Sequence, residues 1–217
     1  MGIAERRERE KEQRRNMILD AAERLFFGKG AEATTMDDVA ELAELSKGTL
    51  YLYFKSKDDI LHAIHLRGLT ILRGLFEEAV ASQQRGIDKV RAIGDAYYIF
   101  SEHHADYFNA MTYFEGGQAD LGDPHTFAYQ CHQCSESVMK IVADAVKTGI
   151  ADGTIRPELD PMKTAYLLWA QTTGVIQMLG RNGDHLEQEH GFSAEDLVPA
   201  MFDFIGFALA NPAAGPD

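Results

Sequence analysis

Side chains that donate hydrogen bonds or carry positive charge crowd one short stretch, Ser46 to Lys57, which holds Lys47, Thr49, Tyr51, Tyr53, Lys55 and Lys57. No acidic residue lies between Glu44 and Asp58. Ammonium and hydroxyl groups gathered without a carboxylate match phosphate oxygens and the acceptors on base edges. A second cationic cluster, Arg6, Arg7, Arg9, Lys11, Arg14 and Arg15, is interleaved with Glu5, Glu8, Glu10 and Glu12. Two readings of it stand: an arm reaching into a nucleic-acid groove, or a solvated helix whose charges pair at i,i+4.

Other residue types invite different chemistry. Cys131, His132 and Cys134, with His103, His104 and His125 nearby in sequence, suggest a soft-metal or redox site, since helical spacing puts both cysteines on one face. There is no second C-x-x-C and no strand context, so buried cysteines acting as small hydrophobes are the plainer reading. The segment His185–Leu186–Glu187–Gln188–Glu189–His190 lacks H-E-x-x-H spacing and reads as a solvated connection. No nucleophile elbow, phosphate-binding loop or dinucleotide fingerprint is present. The sequence therefore predicts no catalytic residue, no metal, no cofactor and no enzyme.

The elements that must position these groups follow from charge and periodicity. The chain has 217 residues and a net charge of −13, yet its first 57 residues carry 11 basic and 11 acidic side chains, so the acidity belongs wholly to the remainder. Ile18, Ala21, Ala22, Leu25 and Phe26 recur at helical spacing and predict a helix from Arg6 to Phe27, stopped by Gly28 and Gly30. Thr34 or Thr35 caps a second short helix carrying Asp37 and Asp38 in its first turn; Ser46 caps a third, Lys47 to Tyr53; Ser56 caps a long fourth. Further helices are predicted over Ile87–Tyr97, Tyr107–Glu115, Phe127–Ala151, Met162–Leu179 and Ala194–Ala210, with a polar loop containing Asn182, Gly183 and Gly191 before the last. The fold class is all-α, and two short helices joined by a tight turn form a helix-turn-helix. No apolar run approaches the ~20 residues of a membrane span, and Met1 to Arg15 lacks a signal peptide's apolar core. A cytoplasmic protein with no membrane partner is the expectation.

The segment from Ile18 to Ile64 resembles the N-terminal DNA-binding domain of the TetR family of bacterial transcriptional repressors, through LDAAERLFFGKG, TTMDDVAELA and above all SKGTLYLYFKSKDDIL. The resemblance implies phosphate contacts from Thr35, Tyr51, Tyr53 and Lys57. Lys47, Thr49 and Leu52 are the candidates for base edges, because only ~3–4 side chains of a reading helix usually reach them. Gly48, without a β-carbon, lets the third helix approach DNA or a neighbouring helix closely, and Leu42, Leu50 and Phe54 read as core. On this reading residues 1–57 are a three-helix DNA-binding domain, 58–210 a larger helical ligand-binding and dimerisation domain, and 211–217 a flexible tail.

The resemblance reaches the remainder by architecture. Two apolar final helices show more apolar surface than one small body buries, which predicts a homodimer joined through residues such as Thr172, Ile176, Met201 and Ile205. Between Tyr97 and Tyr129 nine of 33 residues are aromatic. That enrichment suits ordinary core or the wall of an apolar cavity. As a cavity it would take a bulky hydrophobic or aromatic effector, lined by Tyr97, Phe100, Phe108, Met111, Phe114 and Phe127, with Cys131 and Trp169. The expected function is a ligand-responsive regulator, most simply a repressor released from a palindromic double-stranded DNA operator. The alternatives are a metal- or thiol-responsive sensor on the same scaffold and a helical small-molecule carrier that does not bind DNA.

Overall fold

The computed structural model describes residues 2–113 and 122–212. Its regular structure there is helical: α1 (Ile3–Lys29), α2 (Met36–Leu42), α3 (Lys47–Tyr51), α4 (Lys57–Ala81), α5 (Gly86–His103), α6 (Ala105–Tyr113), α7 (Phe127–Ala151), α8 (Pro161–His190) and α9 (Ala194–Leu209). Among the described residues the extended pairing is a single antiparallel bridge between Ile155 and Ala210. The chain is all-α. No helix among those residues is long and apolar enough to cross a membrane.

Local chemistry sets most helix ends. Gly30, with φ of 88°, ends α1, while Gly28 lies inside the helix; a positive φ carries little steric cost without a β-carbon. Of the two threonines, Thr35 is the cap of α2: the Asp38 amide donates to its Oγ1 and its own amide donates to Asp38 Oδ2, a reciprocal box. Thr34 is buried instead and donates to the Gly30 carbonyl at 2.8 Å. Ser46 caps α3 by accepting from the Thr49 amide, and Ser56 accepts from the Asp59 amide at the start of α4.

Helices α3, α5 and α8 also differ in length from the sequence expectation, α5 running past Tyr97 to His103. Helix α3 ends at Tyr51, since the amides of Leu52 and Tyr53 turn back to the Thr49 and Leu50 carbonyls in three-residue steps. Helix α8 runs past Leu179 to His190, so Asn182, Gly183 and the His185–His190 segment are helical and not a loop. Those residues offer no apolar stripe for periodicity to detect. The helix closes on Gly191 in the left-handed region, with a His185–Glu189 pair at 3.4 Å one turn earlier.

The chain divides into two compact units, one from Met1–Gly68 and Glu115–His132, the other from Leu69–Phe114 and Gln133–Asp217. The first unit takes in the start of α4 as far as Gly68, and Ile60, Ala63 and Ile64 in that stretch are buried. In that unit α2 packs on α1 and on α3. Its core gathers Ile18, Ala22 and Phe26 of α1, Val39 and Ala40 of α2, Leu50 of α3, and Phe54. Full burial of a leucine such as Leu50 contributes about 1.5–3 kcal/mol. The second unit has its own core, including Phe76, Val90, Ile93, Tyr97, Phe100, Val146, Ile155 and Phe202. There α5 and α7 approach so closely that a β-carbon on Gly86 would lie 1.9 Å from the Gly149 backbone nitrogen.

Candidate nucleic-acid interface

Five-residue α3 is anchored by one side chain. Leu50 is fully buried, as is Phe54 just beyond, whereas Lys47, Gly48, Tyr51 and Leu52 are exposed and Thr49 is half-buried. Leu52 is 80% exposed, a large apolar side chain offered to solvent just past the end of α3. Thr35 is exposed at the start of α2; Tyr53 and Lys57 are half-buried. Leu42, expected in the core, is 43% exposed at the last position of α2. A β-carbon on Gly48 would meet nothing nearer than Ser46 Oγ at 4.0 Å. The glycine therefore does not serve close packing on a neighbouring helix, and the room it leaves opens outward.

Three lysines of this region, Lys47, Lys29 and Lys57, are engaged. Lys47 Nζ lies 2.7 Å from Oδ1 and 3.0 Å from Oδ2 of Asp37 on α2, and that carboxylate raises the lysine above its ordinary pKa. Lys29 pairs with Asp38 at 2.9 Å. The Lys29 ammonium and the Thr35 amide together hold the Asp38 carboxyl down to about 2, from an ordinary 3.8. Lys57 donates to the Ala31 carbonyl at 2.8 Å, which fixes the start of α4 against the turn before α2. Sequence spacing pointed to the lysines and missed their partners, because Asp37 and Ala31 lie on other elements. Arg67 was also missed. It bonds Asp20 and Glu23 at 2.8–2.9 Å and Asn16 at 3.1 Å, tying α4 to α1 inside the first unit.

The N-terminal charges favour the solvated-helix reading. Arg6 pairs with Glu10 and Arg15 with Glu12, and Arg15 also lies over the Phe127 ring at 5.5 Å.

The candidate effector residues do not fall together in one unit. Tyr97, Phe100 and Phe108 are buried in the second unit; Tyr97 meets Phe76 edge-on and Phe108 at a tilt, and its hydroxyl lies 2.9 Å from Thr173 Oγ1. Burial pushes the Tyr97 phenol up, while hydrogen bonds from Thr173 and Trp169 oppose that rise. Met111 is half-buried and Trp169 is largely exposed. Phe127 and Cys131 belong to the first unit, where Phe127 stacks on Phe54 at 5.5 Å and the Cys131 thiol donates to the His62 carbonyl at 2.9 Å. Phe114 lies outside the described residues. Cys134 is buried, and desolvation raises its thiol despite nearby Arg73. Among the described residues no three His, Cys, Asp or Glu side chains gather as a metal site.

The residues expected at a dimer interface are packed inside the single chain. Thr172, Ile176, Met201 and Ile205 are buried within the chain's own second unit, where α8 and α9 pack on each other and on α5. Solvent receives other residues of the same two helices, notably Tyr166, Leu167, Phe204 and Phe207.

The comparisons with known proteins agree with this geometry. The family described as "Bacterial regulatory proteins, tetR family" matches residues 18–64, the span from α1 to α4 that carries the helix-turn-helix. The HTH-type transcriptional regulator TtgR of Pseudomonas putida is 36% identical over 189 residues, spanning 81% of this chain and 84% of TtgR. The HTH-type transcriptional repressor KstR2 of Mycolicibacterium smegmatis is 28% identical over 177 residues, covering 81% and 83% of the two chains. In fold, the chain resembles the transcriptional regulator FadR of Bacillus subtilis, solved with stearoyl-CoA, at a TM-score of 0.66 and 20% identity over 88% of this chain and 95% of FadR. With its helix-turn-helix exposed and its length shared with TtgR, the chain belongs to the tetR family of bacterial regulatory proteins, and is a DNA-binding transcriptional regulator and not an enzyme.

Proposed function

We propose that the chain is a homodimeric repressor that reads a palindromic operator with α3 and is released by a bulky hydrophobic or aromatic small molecule. The observation that carries this reading is the division of α3, in which one buried leucine holds the helix while Lys47, Gly48, Tyr51 and the following Leu52 are exposed and Thr49 is half-buried. Lysine and threonine donate to base edges, and Leu52 fits a thymine methyl. Thr35, Tyr51, Tyr53 and Lys57 hold the helix in register on phosphates. We divide the roles as residues 1–57 for DNA, 58–210 for effector and dimer, and 211–217 as a tail.

One short helix specifies few bases, so a two-fold pair reading two half-sites supplies the missing specificity. The exposed apolar residues Leu167, Phe204 and Phe207 of α8 and α9 are the surface we assign to that pairing. For the effector, the aromatic cluster around Tyr97, Phe100 and Phe108 supports an apolar ligand with the Tyr97 and Thr173 hydroxyls as its polar fixtures. The long acyl chain of stearoyl-CoA in the FadR structure is of that chemical class. Release follows from differential affinity: the effector favours a conformation that fits the operator poorly.

A mobility-shift titration at stated salt, on DNA flanking the chain's own gene, tests the proposal. Lys47→Ala relaxes base preference, whereas Lys57→Ala weakens all sequences alike. Equal binding by both variants and the parent chain contradicts it. Replacing Cys131 and Cys134 with serine leaves effector release unchanged; its loss would favour the thiol- or metal-responsive alternative.

A further inference from the structure

Resting on the DNA-binding reading, we propose that Asp37 is a specificity-determining residue: by holding the ammonium of Lys47 it withholds that cation from the phosphates of non-cognate DNA. Lys47 opens the reading helix, and both carboxylate oxygens of Asp37 lie within 3.0 Å of its Nζ. More than half of each side chain is exposed, so the pair stands in solvent at the edge of α3. An exposed pair of this kind adds little to folding stability. Its consequence is electrostatic. A lysine that leaves Asp37 for a phosphate abandons a carboxylate beside the polyanion, so a backbone contact alone gains no net charge. A guanine edge offers O6 and N7 acceptors that reward the same movement with a base-specific contact. The pair therefore taxes every duplex and refunds the cost only where the base edge is right.

The pattern extends along α2. Asp37 and Asp38 occupy consecutive positions in its first turn, and each holds a lysine from a different element, Lys47 from α3 and Lys29 from α1. Asp38 is also tied to the Thr35 cap, which gives it a structural role. Asp37 has no such tie among the hydrogen bonds described; its partner is the reading-helix lysine.

The test measures binding of the full-length chain by fluorescence anisotropy to a duplex of scrambled sequence and to the DNA flanking its gene, across a salt series. Asp37→Asn frees Lys47. Its affinity for the scrambled duplex rises, and the slope of log affinity against log salt steepens by about one, a gain about fourfold larger near 50 mM salt than near 200 mM. Preference for the flanking DNA over the scrambled duplex falls correspondingly. Asp37→Glu, which keeps the charge, stays near the parent, and Asp37→Asn with Lys47→Ala loses the gain. Melting curves confirm that each variant is folded. An unchanged salt slope in a folded Asp37→Asn overturns the inference, as does a gain that survives removal of Lys47. Absence of binding to any duplex by the parent chain overturns the DNA-binding reading beneath it.

Discussion

The α2–α3 edge of the first unit and the α8–α9 pair of the second solve the same problem, choosing which face of a helix to bury, by different means. In α3 one turn of helix holds a single large aliphatic side chain, Leu50, and a cap at each side of the turn fixes its phase, so the outward face follows from the local sequence. In α8 and α9 apolar residues surround much of the circumference, and packing on α5 buries Thr172, Ile176, Met201 and Ile205 while Leu167, Phe204 and Phe207 remain outside. A short amphipathic helix announces its face; a long apolar one leaves the choice to its neighbours.

The sharpest way to break this comparison is at α9, where residues two or fewer positions apart have opposite environments. Phe204→Glu combined with Phe207→Glu converts the proposed dimer to a monomer in analytical ultracentrifugation while leaving the fold intact. Ile205→Ala instead lowers the stability of the chain by about 2–5 kcal/mol in chemical denaturation, because it opens a cavity in the second core. A dimer that survives the double replacement places the pairing surface elsewhere.

The same contrast is available at smaller scale in α3. Leu50→Ala costs about 2–5 kcal/mol by urea titration, whereas Leu52→Ala, two positions on, changes stability by less than about 0.5 kcal/mol and acts on DNA affinity instead. Equal stability losses would mean that Leu52 is packed.

The smallest expected effect concerns pH and the local capping of α2. Asp38 has its folded pKa held near 2, below the ordinary 3.8, chiefly by its bond to Lys29. A depressed carboxylate contributes stability that is present above the unfolded value and lost as pH falls through the folded one. Stability of the first unit therefore declines between about pH 4 and pH 2, and Asp38→Asn flattens that decline. Removing the other half of the box, Thr35→Ala, lowers stability by about 1 kcal/mol at neutral pH. A melting temperature independent of pH across this window in the parent chain would show that the pair is not formed in solution.

Much of the architecture was legible before any coordinates. Asp37 and Asp38 following Thr35, and Ser46 preceding Lys47, mark two helix starts, since a side-chain oxygen that satisfies an amide three residues on acts within one turn. Helix α7 has the expected limits, Phe127–Ala151. The polar end of α8 was invisible to periodicity for want of an apolar stripe. Among candidate site residues, Lys47, Tyr51 and Leu52 could be read as outward-facing. The effector candidates could not be grouped, because an aromatic run in sequence is shared between two units: Phe127 stacks on Phe54 in the first, while Tyr97 and Phe108 meet in the second.

The amino-acid order alone thus settled the helical class, the Ser46 cap, the turn between α2 and α3 and the family resemblance of residues 18–64, since each is read from residues close together in the chain. Tertiary packing alone decided that Asp37 would hold Lys47, that the Ala31 carbonyl would receive Lys57, and that Ile205 would turn inward while Phe207 stayed in solvent. Those outcomes join residues on separate elements. Side-chain type limits such pairings, but only the packed arrangement of the helices selects among them.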